Sequence, residues 1–226
     1  MSPEIIQQIA IWALPVLLAI TLHEAAHGFA ALRLGDDTAY RLGRVTLNPL
    51  KHIDPFGTII MPGLLLLSGA PFLFGYAKPV PVNFRRLRDP KRDMVLVAAA
   101  GPGMNLALAL ASVILLRLWI ETTGTDEGWA PETLRASLLL NLVLAVFNMI
   151  PLPPLDGGRV AVGLLPRALA IPLARLERWG MFIILGLLIL PALSQQLGLR
   201  IDILGWLLYA PVRFLREMLI QLVFMW

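Results

Sequence analysis

The 226-residue chain contains no cysteine and only three histidines. The absence of cysteine excludes a disulfide scaffold, a thiolate zinc site, an iron–sulfur cluster and a cysteine nucleophile. Any metal ion must therefore be held by histidine and carboxylate side chains.

Charged side chains are also scarce, at 15% of the residues, whereas 58% are hydrophobic. Soluble domains carry about a quarter charged residues and about half apolar ones, so this composition predicts a membrane protein. Together with the apolar segments described next, we expect an all-α polytopic fold. The net charge is +4, but the basic residues lie in short blocks between apolar runs. This distribution is typical of cytoplasmic loops beside anionic lipid, and we expect no nucleic-acid partner.

Four apolar segments are predicted to cross the membrane, because a spanning helix needs about 20 residues. They are residues 5–34, 94–116, 134–155 and 179–193. The glycine- and proline-rich stretch 57–77 favours a re-entrant loop or a short β segment that lines a cavity. Residues 203–226 contain three charges and are expected to cross the membrane or to lie at its interface. We expect a single membrane-embedded domain over residues 1–226.

Loop charges predict the orientation. Residues 76–93 hold six basic side chains against two acidic ones, whereas residues 121–132 hold four acidic side chains and no basic one. The first loop is therefore expected on the cytoplasmic side and the second on the outside.

The first apolar segment contains three ionisable side chains in a stretch of only five residues. They belong to the motif HEAAH, His23–His27. The spacing places the two imidazoles roughly 40° apart around a helix, where both can bind one metal ion. Glu24 projects from the same turn, where a general base can take a proton from metal-bound water. Ionisable groups at membrane depth are costly, which favours a metal site.

A catalytic zinc ion needs a third protein ligand. The residues favour Asp156, because prolines before it and glycines after it give an irregular backbone that can turn a carboxylate inward. His52 and Asp54 are the alternatives, although both lie among loop charges. A purely structural role for Asp156, as the N-cap of a helix starting near Arg159, also stays open.

A second cluster, Gly101–Asn105 with the sequence GPGMN, precedes a long apolar run. Small residues are the usual packing surface between helices in lipid, so we predict a close helix crossing with one interhelical hydrogen bond. Asn141 receives the same interpretation. Direct participation of Asn105 in catalysis is the alternative.

Three motifs together, HEAAH, GPGMN and FNMIPLPPLDGGR of Phe147–Arg159, resemble the site-2 protease family of intramembrane zinc metalloproteases. The resemblance is to the compact form without PDZ or CBS domains. It implies one zinc ion per chain, held by His23, His27 and Asp156, with Glu24 as the catalytic base. It also implies that Asn148 contacts the substrate or the transition state.

The resemblance further implies a three-helix catalytic core at about residues 8–33, 94–118 and 136–157, followed by spans or interfacial helices at about 179–226. The expected substrates are membrane-spanning or membrane-associated proteins within a lipid bilayer. The compact form indicates a multi-pass protein of a prokaryotic cell (inner) membrane.

Two other functions compete with proteolysis. A metal-ion transporter also places histidine and carboxylate groups at membrane depth, but the repeated halves typical of transporters are not visible in the sequence. A catalytically inactive relative that binds membrane partners would have no need to retain Glu24.

Overall fold

A computed structural model describes residues 3–60, 64 and 78–225 of the chain. The α-helices within these residues are α1 Pro3–Arg33, α2 Thr38–Arg41, α3 Pro90–Thr123, α4 Trp129–Asn148, α5 Asp156–Leu164, α6 Arg167–Arg175, α7 Glu177–Gln196 and α8 Ile203–Phe224. Short 3₁₀ turns occur at Pro49–Lys51 and Phe84–Arg86. No strand occurs among the described residues, and the prediction of an all-α membrane fold is confirmed.

Four helices of the described chain are long and apolar enough to cross a membrane. They are Gln7–Arg33 within α1, then α3, α4 and α7. They correspond to the four predicted spans. The helix α8 is 22 residues long, but the charges of Arg213, Arg216 and Glu217 interrupt its apolar surface.

The third core helix differs from its predicted bounds of 136–157, because α4 begins at Trp129 and ends at Asn148. Prolines at 151, 153 and 154 lack the backbone N–H that a helix needs, and their rings clash with the preceding turn. Residues 149–155 therefore form an irregular connection, and a new helix begins at Asp156. This break positions Asp156 at a helix start rather than within a span.

Helix α3 packs against α1, α4 and α5, and α1 also packs against α4. Small side chains bring the backbones close: Ala19, Ala25 and Ala31 of α1 are almost fully buried. On its other side the α3–α4 pair packs against α8 through a cluster of buried apolar residues. The cluster comprises Ala109, Val113, Leu138, Leu142, Val212 and Leu219.

The re-entrant loop or short β segment is predicted for residues 57–77. Of these, only residues 57–60 and 64 are described, so most of the predicted segment lies outside the described residues. Its described beginning belongs to a π-helical turn, Pro55–Ile60. The carboxylate of Asp54 accepts hydrogen bonds from the N–H groups of Phe56 and Gly57 at the start of this turn.

The segment 78–83 is held against α1 by a buried carboxylate. Asp36, just after the C-terminus of α1, accepts hydrogen bonds from the N–H of Asn83 at 2.6 Å and from the N–H and hydroxyl of Thr38. Burial alone would raise the pKa of Asp36, but these hydrogen bonds outweigh it, and the nearby Arg86 adds to their effect. The pKa of Asp36 therefore lies below its ordinary value.

Replacing Asp36 with alanine is expected to lower the free energy of unfolding by about 1–3 kcal/mol, because the N–H groups of Asn83 and Thr38 lose a charged acceptor. Since the pKa is lower in the folded state, the stabilisation is complete above about pH 4 and is lost as the pH falls through the folded-state value. Unfolding in detergent, followed by circular dichroism at several pH values, measures both effects.

The matched control is Asp37→Ala at the next position. Asp37 forms ion pairs with Arg41 and Arg86, each at 2.6 Å, but these groups are partly exposed to solvent. Such pairs contribute about 1 kcal/mol or less. Equal destabilisation by the two substitutions would contradict the role assigned to Asp36.

Candidate metal centre

His23 and His27 lie one turn apart on α1, and both side chains are buried. Their Nε2 atoms are 3.0 Å apart. An Oδ2 atom of Asp156 lies 3.2 Å from the first Nε2 and 3.3 Å from the second. One ligand atom from each of the three residues therefore converges on a single point, with all three within 4.8 Å of one another.

Asp156 reaches the histidines because it is the first residue of α5, directly after the proline-rich connection. A Cβ atom on Gly157 would lie 2.2 Å from the carbonyl oxygen of Met149, and one on Gly158 would lie 2.2 Å from the nitrogen of Pro153. Glycine at both positions thus lets the connection fold directly onto the first turn of α5. The carboxylate of Asp156 faces the imidazoles. The N-cap of α5 is Leu155 and not Asp156.

The two alternative third ligands lie elsewhere. His52 is buried with its Nε2 atom 3.0 Å from the carbonyl oxygen of Thr46. Asp54 caps the π-helical turn described above. Among the described residues, the ligand atoms that converge are those of His23, His27 and Asp156.

The opposite ring nitrogens of both histidines have acceptor partners. The Nδ1 atom of His27 lies 2.7 Å from the carbonyl oxygen of Val97, and Nδ1 of His23 lies 2.6 Å from Oδ1 of Asn105. A carbonyl oxygen only accepts, so Nδ1 of His27 carries the proton and Nε2 presents a lone pair. The interhelical hydrogen bond predicted for Asn105 is thus present, but its contact with a candidate ligand was not foreseen.

Lone pairs of two imidazoles and a carboxylate therefore face one another across about 3 Å. Such a set is mutually repulsive unless a cation or protons lie between the atoms. Neutral imidazole and carboxylate are ligands that zinc accepts, and three of them leave a fourth position open. The residues present thus fit a catalytic zinc ion.

Gly101 of α3 lies directly over the two imidazoles. A Cβ atom at this position would be 2.4 Å from Nε2 of His27 and 2.6 Å from Nε2 of His23. The close helix crossing predicted from GPGMN is present, and it occurs at the candidate ligands themselves. Only glycine allows α3 to approach α1 this closely here.

Glu24 is half-buried on the turn between the histidines and is not one of the three converging ligands. Its Oε2 atom accepts a hydrogen bond of 2.7 Å from the backbone N–H of Val80. Prolines at 79 and 81 flank this donor and have no N–H of their own. The segment 78–83 therefore holds the Glu24 carboxylate in place, a contact for which the sequence contains no local signal.

A cavity of about 630 Å³ contains His23, Glu24, His27, Asp156 and Asn148 in its wall. The segment 79–82, further residues of α1, α3, α4 and α7, and Phe84, Pro154, Leu155 and Arg159 complete the lining. Asn148 is half-buried at the end of α4, and its Nδ2 atom donates to the carbonyl oxygen of Leu144 at 3.0 Å. The cavity thus brings every sequence-predicted site residue to one space of small-molecule or peptide size.

Comparison with known proteins gives consistent matches. A sequence profile described as "Peptidase family M50" matches residues 120–191. A Bacillus subtilis protein named "Putative zinc metalloprotease YwhC" is 40% identical over 186 residues, which are 80% of this chain and 81% of that protein.

Two mycobacterial proteins are also similar. A Mycolicibacterium smegmatis protein named "Putative zinc metalloprotease Rip2" is 32% identical over 180 residues, covering 79% of this chain and 66% of that protein. A Mycobacterium tuberculosis protein of the same name is 34% identical over 141 residues, covering 62% and 52%. No solved structure matches the chain significantly.

Proposed function

The chain belongs to peptidase family M50, the site-2 protease family, and on this basis we propose that it is a zinc-dependent intramembrane endopeptidase. The single observation that supports this function best is the convergence of His23, His27 and Asp156 beside Glu24 in one cavity. These three residues would hold one zinc ion per chain. When bound, zinc acidifies a coordinated water molecule and polarises a peptide carbonyl group.

Glu24 acts as the general base. Its carboxylate accepts a proton from the attacking water and later delivers that proton to the leaving amine nitrogen. The hydrogen bond from the N–H of Val80 to Oε2 leaves Oε1 available for this transfer. Because the bond restrains the side chain, the base is oriented before substrate binds.

Asn148 contributes a hydrogen-bond donor to the substrate. One N–H of its amide bonds the carbonyl oxygen of Leu144, which orients the side chain and leaves the second N–H for the cavity. A donor in this position can bind the substrate backbone or the oxyanion that develops at the scissile carbonyl.

The substrates are membrane-spanning or membrane-associated proteins. Besides α5 and the residues around 79–84, the cavity is lined by α1, α3, α4 and α7. These four are the helices with the length and apolar composition of membrane spans. A helical substrate hides its peptide groups in hydrogen bonds, so it must unwind locally before Glu24 can act.

The charge pattern of the loops supports a multi-pass protein with segment 78–92 on the cytoplasmic side of a prokaryotic inner membrane. The whole chain acts as one domain.

Zinc analysis of the purified protein tests the site. Wild type in detergent is expected to contain about one zinc per chain, His23→Ala close to none, and Asp156→Ala a reduced amount, because three ligands are needed for a catalytic site. The measurement is elemental analysis of identically prepared samples after zinc reconstitution. His52→Ala is the matched control, since its imidazole lies outside the cluster, and it is expected to retain zinc.

Cleavage tests the reaction. A tagged single-span reporter and the enzyme are placed together in phosphatidylcholine vesicles, and the products are identified by mass spectrometry. A soluble reporter is tested in parallel. Cleavage within the span of the membrane reporter supports the proposed substrate class, whereas cleavage of the soluble reporter alone contradicts it. Zinc flux into the vesicles without any cleavage would favour a transporter instead.

A further inference from the structure

A chain of buried hydrogen bonds extends from His23 of α1 through α3 to the face of α4 that contacts α3. Asn105 of α3 accepts from Nδ1 of His23 at 2.6 Å, and its Nδ2 atom donates to Oδ1 of Asn141 at 2.9 Å. The amide of Asn141 in turn donates to the carbonyl oxygen of Ser137 at 2.9 Å. Both asparagines are almost completely buried.

Two backbone carbonyls determine which way each amide points. Nδ2 of Asn105 also lies 3.3 Å from the carbonyl oxygen of Ala19, and Nδ2 of Asn141 faces that of Ser137. A carbonyl oxygen only accepts, so the nitrogen of each amide must face it. Rotating either amide by 180° would set two acceptors against each other in a buried space.

The orientation has one consequence for His23. Because the oxygen of Asn105 faces Nδ1, this ring nitrogen must carry the proton, and Nε2 must present its lone pair to the cluster. Asn141 adds to the effect of the Ala19 carbonyl, because its oxygen accepts from Nδ2 of Asn105 at 2.9 Å, a shorter distance than the 3.3 Å to Ala19, and opposes the flipped amide. His27 needs no such relay, since the carbonyl of Val97 determines its tautomer directly.

We propose that Asn141 is a positioning residue for the metal centre and that it acts on His23 only through Asn105. Together the two amides fix the tautomer and the ring orientation of a zinc ligand. The inference rests on the proposed zinc site. It differs from the ordinary role of a membrane asparagine, which is to hold two helices together.

Zinc affinity distinguishes positioning from packing. Partners of metal-bound histidines typically change metal affinity by about 10- to 100-fold when they are removed. Asn141→Leu has the same number of side-chain heavy atoms but no hydrogen-bonding group. It is therefore expected to weaken zinc binding about tenfold or more, as measured by competition with a chelator in detergent. The absorption spectrum of the Co²⁺-substituted protein reports whether the ligand geometry has changed.

The matched control is Ser112→Ala. The hydroxyl of Ser112 donates to that of Ser137 at 2.8 Å, and the Ser137 hydroxyl lies 3.4 Å from Nδ2 of Asn141. Ser112→Ala therefore loses a contact between the same two helices, whereas the hydrogen bonds from Asn141 through Asn105 to His23 remain. It is expected to bind zinc as wild type does. Equal weakening by Ser112→Ala and Asn141→Leu would assign both residues to packing and overturn the proposal.

A double-mutant cycle tests the route through Asn105. If Asn141 acts only through Asn105, the variant Asn105→Leu/Asn141→Leu binds zinc no more weakly than Asn105→Leu alone. Additive losses would overturn the relay, and so would an unchanged zinc affinity of Asn141→Leu. A wild type that binds no zinc would instead refute the proposed function.

A second variant addresses folding. Asn141→Gln keeps both an oxygen acceptor for Nδ2 of Asn105 and an N–H donor for the carbonyl oxygen of Ser137. It is expected to retain more zinc affinity than Asn141→Leu, whereas equal affinity of the two variants would contradict the proposal. Thermal unfolding of the zinc-free proteins by circular dichroism identifies any variant that fails to fold, and the comparison then uses the folded one.

Discussion

The variant Glu24→Gln is expected to cleave membrane reporters about 10²–10⁴-fold more slowly than wild type while it still binds zinc. The amide of glutamine has the size of the carboxylate but cannot accept a proton from water. Its oxygen can still accept the hydrogen bond from the N–H of Val80, which binds Oε2 at 2.7 Å in the native protein. The fold and the three metal ligands should therefore be unchanged.

Glu24→Ala separates catalysis from structure. Alanine removes the base and also leaves the N–H of the buried Val80 without its acceptor, which costs about 1–3 kcal/mol. We expect both variants to cleave at least about 10²-fold more slowly than wild type, but only the alanine variant to unfold at a lower temperature. Reporter cleavage, zinc content and thermal unfolding are measured on the same preparations. Cleavage by Glu24→Gln within tenfold of wild type would remove Glu24 from the mechanism.

The predictable parts of this protein depend on local patterns. Four apolar runs of spanning length predict four helices, because length and composition alone decide whether a helix can cross a lipid bilayer. The spacing of His23 and His27 predicts two ligands on one helix face, since a turn of helix separates residues i and i+4. The predicted bound of 157 for the third core helix is wrong by nine residues, because α4 ends at Asn148, ahead of the prolines.

The remaining parts depend on contacts between distant segments. Asn105 is 82 residues from His23, and Val80 is 56 residues from Glu24. No periodicity specifies such pairs, because they follow from how α3 and the segment 78–83 pack on α1. The third ligand shows the same limit: the sequence favours Asp156 over His52 and Asp54 only by the irregular backbone around it, and the packing of α5 brings it to the histidines.

The site and the helix crossing are one structural feature. A ligand pair at membrane depth must be enclosed to exclude lipid, yet it must leave space for an ion and a peptide. Helix α3 meets both needs at Gly101: its backbone covers the imidazoles, and the missing side chain leaves their Nε2 atoms free. This coupling predicts that a very small change in α3 eliminates metal binding.

Gly101→Ala is expected to abolish zinc binding and proteolysis. The added methyl group would lie 2.4 Å from Nε2 of His27 and 2.6 Å from Nε2 of His23, much closer than a carbon and a nitrogen can approach. Both imidazoles are restrained by their Nδ1 partners, so they cannot move away without breaking hydrogen bonds to Val97 and Asn105. Helix α3 must therefore separate from α1, or the ligand atoms must leave the cluster.

Gly103→Ala provides the matched control on the same helix. A Cβ atom at position 103 meets no other atom within 4 Å, and alanine favours the helix over glycine by about 0.5–1 kcal/mol. This variant should bind zinc and cleave reporters as wild type does, with equal or higher thermal stability. Zinc content by elemental analysis compares the two alanine variants directly. If Gly101→Ala retained a full complement of zinc, α3 could not lie against the histidines as described, and the metal centre would need a different enclosure.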